Sequence, residues 1–123
     1  MPISIQYDAD DRLLVSGLAC GCALTHQAPT QDIYIGKGLI GRLPGLVRRR
    51  GYGEACVLVA DNITYEVAGR EVHAALEASG FRVVLCVIRR DGEMLPDETA
   101  CGEVLLSIQP ETSFLISVGS GSI

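Results

Sequence analysis

At 123 residues and 13.1 kDa the chain is long enough to bury roughly two-thirds of its extended surface, which fits one domain with a real core. With no Trp, two Phe and four Tyr that core must be aliphatic, and a formal net charge of -5 with a pI near 4.9 argues against a nucleic-acid surface, which needs clustered Lys and Arg. The start MPISIQYDADD carries acids where a secretory signal is positive, and no apolar run approaches the ~20 residues of a membrane span, so the expectation is a cytoplasmic protein.

Taken in chain order, Ile3, Ile5 and Tyr7 alternate, Asp8 to Asp11 can turn, and Leu13 to Val15 can return as the partner of an N-terminal β-hairpin. Ser16 to Thr30 reads as a loop of small residues, which makes residues 1–30 a hairpin and loop ahead of a main domain at 31–123. Asp32 to Ile35 alternates as a short strand that ends at Gly36-Lys37-Gly38. Leu39 to Arg50 has helical character, and because Pro44 is tolerated only in a first turn the main helix is expected to start near it. Arg48 to Arg50 followed by Gly51 then form a cationic last turn and a cap, a simpler account of the chain's one basic run than a binding patch.

Ala55 to Ala60 (ACVLVA), Val83 to Ile88 (VVLCVI) and Phe114 to Val118 (FLISV) are uninterrupted apolar runs, which is the signature of strands buried on both faces of a parallel sheet. The segment Thr64 to Ser79 places Tyr65, Ala68, Val72, Ala75 and Leu76 at helical spacing, pairs Glu66 with Arg70 and ends at Gly80. The segment Pro96 to Ile108 has Pro96, Asp97 and Glu98 suited to a first turn and one face of Cys101, Val104, Leu105 and Ile108. Strands that start roughly thirty residues apart with a helix between them are βαβ units, so the fold class is α/β: a Rossmann-like, three-layer domain with a mostly parallel sheet. Of the five cysteines, Cys56, Cys86 and Cys101 fall in expected core segments and read as reduced thiols.

Three constellations could carry chemistry. Gly119, Ser120, Gly121 and Ser122 follow the third long strand at its carboxyl end, where parallel sheets bind ligands, and glycine there lets backbone approach a pyrophosphate while serine hydroxyls donate. A plain tight turn explains the same residues. Asp61, directly after the first long strand, can accept both hydroxyls of a ribose, or can turn the chain with Asn62 and cap the next helix. Cys20, Cys22 and His26 are soft ligands within seven residues, but their spacing lacks an obvious fourth ligand for structural zinc. His73 reads as a solvated helix residue, and two histidines so placed give no nucleophile set.

The run from DIYIGKGL to EASGF, with VLVAD followed by TYEVAG, then LPDE and the closing VGSGSI, resembles the N-terminal cofactor domain of glycerol-1-phosphate dehydrogenases, within the superfamily of iron-containing alcohol dehydrogenases and dehydroquinate synthases. The likeness covers about Cys20 to Ile123. It implies an NAD or NADP cofactor, a small phosphorylated substrate, Asp61 on a ribose and Gly119 to Ser122 around the pyrophosphate. It also implies a divalent metal, Zn, Ni or Fe, held by one Asp and two His of a following helical domain that maps to no position here, so this chain alone is expected to be inactive. A homo-oligomer stays open. So do two alternatives: a non-catalytic nucleotide-binding or interaction module, and a lyase of the dehydroquinate synthase type.

Overall fold

The computed structural model describes residues 3–17, 21–24 and 29–123, and the chain divides into two compact units, Met1–Leu39 and Ile40–Ile123. In the first unit β1 (Ser4–Tyr7) pairs antiparallel with β2 (Leu13–Ser16), from Ser4 against Ser16 to Tyr7 against Leu13. Asp8 closes the turn, its Oδ1 accepting from the N–H groups of Asp10 at 2.8 Å and Arg12 at 3.0 Å. Asp11 takes a left-handed φ of 64°, which a short polar side chain tolerates. The expected strand at Asp32 to Ile35 is reduced to one antiparallel bridge between Arg12 and Tyr34, flanked by bonds from Leu13 N to Ile33 O and from Ile35 N to Asp11 O. The Arg12 guanidinium meets the Asp32 carboxylate at 2.7 Å beside that bridge.

In the second unit a parallel sheet runs in the order β4, β3, β5, with β3 at Ala55–Asp61, β4 at Arg82–Ile88 and β5 at Phe114–Val118. Every β3 residue from Ala55 to Ala60 is buried, because a central strand between two helical layers has no solvent face. Cys56, Leu58 and Ala60 point to one layer and pack with Val72, Leu76 and Phe81. Val57 and Val59 point to the other and pack with Cys86, Ile88, Met94 and Ala100. The α/β three-layer expectation is thus the fold observed.

Helix α1 (Leu39–Arg50) lends Ile40, Leu43 and Val47 to the first of these clusters. It begins at Leu39 rather than near Pro44, which sits inside the helix as its buried residue. The ring removes one ladder bond, to the carbonyl of Ile40, and packing carries the helix through. Arg48 to Arg50 do form the last turn, closed by Gly51 at φ 69°. Arg48 also lies 4.7 Å from the Phe81 ring centre, pairs with Glu54 and donates to the Ser79 carbonyl, so it clips the strand-helix corner.

After β3 the chain runs through α2 (Asn62–Thr64), a π-helical turn at Tyr65–Gly69 and α3 (Arg70–Ala78). The expected single helix from Thr64 therefore starts two residues earlier and is widened in its second turn. Gly80 at φ 88° ends it, as its position requires. Helix α4 (Glu98–Ser107) is capped by Asp97, which accepts from Ala100 N at 2.8 Å. Ala100 and Val104, four apart, face the sheet. The expected face is corrected accordingly: Cys101 is exposed and Leu105 is 68% exposed, since each lies one position, about 100°, round from the residues that pack. Cys56 and Cys86 are buried as expected, and burial raises the Cys56 thiol above its ordinary pKa. Among the described residues no helix is long and apolar enough to cross a membrane.

Candidate functional site

The path from β3 to β4 runs through helices on one face of the sheet, and the path from β4 to β5 through α4 on the other. Because β4 and β5 flank β3 on opposite sides, the strand order reverses at β3, and a crevice opens between the carboxyl ends of β3 and β5. Open parallel sheets bind ligands at that kind of crevice. Here it is a cleft of about 270 Å³, walled by Asp61 to Thr64 at the end of β3, Gly92 to Met94 after β4 and Ser120 to Ile123 after β5.

Four of the five residues expected to bind cofactor, Asp61, Ser120, Gly121 and Ser122, line this one cleft although Asp61 is remote in sequence from the other three. At Gly119 a Cβ would stand 2.5 Å from the Ile123 Cβ, so a side chain there would displace Ile123. Gly121 has φ 146°, a backbone that L side chains rarely adopt. Ser120, Gly121 and Ser122 thus meet the cleft together with Ile123.

Asp61 caps the following helix. Its Oδ1 accepts from Ile63 N at 2.8 Å and Thr64 N at 2.7 Å, while Thr64 Oγ1 accepts from Asp61 N at 3.0 Å. Both capping bonds end on Oδ1, and Oδ2 takes no part in them. The capping role and a ligand role are therefore compatible in one side chain.

Asn62, passed over in the sequence except as a turn residue, accepts at Oδ1 from Arg90 N at 3.4 Å and so ties the end of β3 to the loop after β4. The wall formed by Gly92 to Met94 was also not singled out. Its signal was there in RRDG, a polar, glycine-ended run at the carboxyl end of a strand. Nearby, Arg70 grips Glu66 through bonds of 2.8 and 2.6 Å. That hydrogen bonding holds the Glu66 carboxyl below its ordinary pKa, with the charges of Arg70 and Arg89 adding to it.

Cys20 and His26 lie outside the described residues, and Cys22 is exposed. Among the described residues no three His, Cys, Asp or Glu side chains converge to hold a metal ion. His73 is half-buried rather than solvated, with Nδ1 3.4 Å from the Tyr65 hydroxyl and Nε2 3.4 Å from Glu77.

The family model for iron-containing alcohol dehydrogenase matches residues 34–123. A glycerol-1-phosphate dehydrogenase [NAD(P)+] of Geobacillus stearothermophilus is 31% identical over 107 residues, covering 85% of this chain and 26% of the relative. Proteins of the same name from Halalkalibacterium halodurans and Bacillus subtilis are 32% identical over 107 residues and 30% identical over 95, covering 85% and 76% of this chain and 27% and 24% of those relatives. The chain thus spans about a quarter of the length of the curated relatives it matches. No solved structure gives a significant match.

Proposed function

The chain belongs to the iron-containing alcohol dehydrogenase family, and from that membership we propose that its Ile40–Ile123 unit is the dinucleotide-binding part of an NAD(P)-dependent oxidoreductase that reduces dihydroxyacetone phosphate to sn-glycerol 1-phosphate. The observation that carries this reading is the convergence of Asp61 and Ser120 to Ser122 on one cleft at the point where strand order reverses. Asp61 uses its uncommitted Oδ2 to accept from ribose hydroxyls. Backbone N–H groups and the hydroxyls of Ser120 and Ser122 donate to the pyrophosphate. When bound, the nicotinamide supplies the hydride that reduces the substrate carbonyl. Cofactor binding and orientation are the share of that reaction assigned to these residues. Each of the three relatives bears a dehydrogenase name, which favours redox chemistry over a lyase reaction on the same domain.

Titration of NADH into the chain, read by nicotinamide fluorescence, tests the proposal. A saturable change that AMP competes away is expected. Absence of any change up to millimolar NADH would refute the assignment.

A further inference from the structure

We propose that Arg89 is a second cofactor-recognition residue, one that takes the 2′-phosphate of NADP and lets the same site accept both dinucleotides. The inference rests on the ribose role of Asp61 proposed above and adds a specificity residue that the family likeness does not supply.

Asp61 and Ile88 are paired at the ends of adjacent parallel strands, so the next residues, Asn62 and Arg89, leave the sheet side by side. The hydrogen bond from Arg90 N to Asn62 Oδ1 fixes that adjacency. Beside the main cleft lies a shallow cavity of about 330 Å³ lined by Asn62, Arg89, Arg90 and Asp91. The two guanidinium groups at its edge are not equivalent. Arg90 is committed, with Nη2 2.7 Å from a Glu103 carboxylate oxygen and Nη1 donating to the Arg89 carbonyl at 2.8 Å. Arg89 is exposed, and its guanidinium makes no hydrogen bond or ion pair among the described residues. Glu66, the carboxylate within its field, is already held by Arg70 at 2.6 Å.

A ribose seated on Asp61 would lie next to this cavity, which shares Asn62 with the main cleft. An unmodified 2′-hydroxyl is served by the carboxylate. A 2′-phosphate brings close to two negative charges beside Asp61, with Asp91 on the same cavity, and needs a cation that can be spared. The planar guanidinium fork of Arg89 matches phosphate oxygens in pairs, and the residue is positioned to neutralise what Asp61 repels.

The test compares AMP with adenosine 2′,5′-bisphosphate, two probes that differ only at the 2′ position, by calorimetric titration of the full chain and of Arg89→Gln and Arg89→Lys. In the unsubstituted chain both nucleotides should bind. Arg89→Gln should shift the ratio of their affinities by about tenfold against the bisphosphate, the loss of one charge-assisted contact, and Arg89→Lys should recover part of it. Equal weakening of both nucleotides would show Arg89 stacking on the base and overturn the proposal. An unaltered ratio would overturn it too, while leaving the dinucleotide reading in place. Binding of neither nucleotide to the unsubstituted chain would remove that reading and this inference with it.

Discussion

Asp61 caps the following helix, and the proposed ribose role falls on the same carboxylate, so substitutions separate the two. The cap uses Oδ1 as an acceptor for two backbone N–H groups, a role that Asn fills as well as Asp, whereas the ribose role needs charge and a second acceptor. Asp61→Ala should lose about 1 kcal/mol of stability through the cap and should weaken NADH binding more than NADPH binding. Asp61→Asn should keep its unfolding midpoint close to that of the parent chain and still lose NADH affinity, with the preference between the two cofactors moving toward NADPH. Thermal unfolding followed by titration of each cofactor reads both effects. If Asp61→Asn binds NADH as well as the parent does, Asp61 is a cap and nothing more. The sequence left these two roles open because both draw on the same feature, a carboxylate at a strand end. The placement of the side chain assigns the cap to Oδ1 and leaves Oδ2 outside it.

The three strands of the parallel sheet were legible in the sequence to within a residue, since mainly apolar runs of five or six residues leave little freedom about where a buried strand starts and stops, whereas the short alternation at Asp32 to Ile35 yielded only a bridge. The helices were legible in existence and less so in detail. Pro44 misled the start of α1 because local rules count the lost bond and cannot weigh the burial that offsets it. The π-turn was invisible for a related reason. Arg70 N–H reaches the Tyr65 carbonyl, a five-residue step, and no composition rule encodes that extra residue. The structure shows what accommodates it: Gly69 is buried under Tyr65, and a Cβ at that position would lie 2.7 Å from Tyr65 Cδ2 and 3.3 Å from its Cβ. Gly69→Ala sets two effects against each other. Alanine gains about 1 kcal/mol of helix propensity, and overpacking against the tyrosine costs about 1–3 kcal/mol. The contact involves the base of the ring rather than a flexible tip, so the second effect should win and the variant should unfold at lower denaturant concentration. A more stable Gly69→Ala chain would mean that Tyr65 swings away freely and that the π-turn is not held by this packing.

At the scale of the whole molecule, the sequence implied two βαβ units but not their order, because β5 beside β4 satisfies the same spacing as β5 beside β3. The deciding signal is chemical. ACVLVA has no polar side chain before Asp61, whereas β4 opens on Arg82 and β5 contains Ser117, so the run that can be buried on both faces takes the centre. Centring β3 creates the crevice, and the crevice is built from three stretches of chain that are remote in sequence: 61–64, 92–94 and 120–123. A ligand that spans them binds the folded chain and has nothing equivalent to bind once the strands separate, so its binding energy is added to folding stability. With NADH at a hundred times its dissociation constant, stability should rise by about 2.7 kcal/mol and the unfolding midpoint by on the order of 10 °C for a chain of this size. The rise should follow the same concentration dependence as the fluorescence titration, because linkage allows only one dissociation constant for both. A midpoint that stays fixed at saturating NADH would place the nucleotide on a surface that survives unfolding, which the cleft at the end of β3 does not.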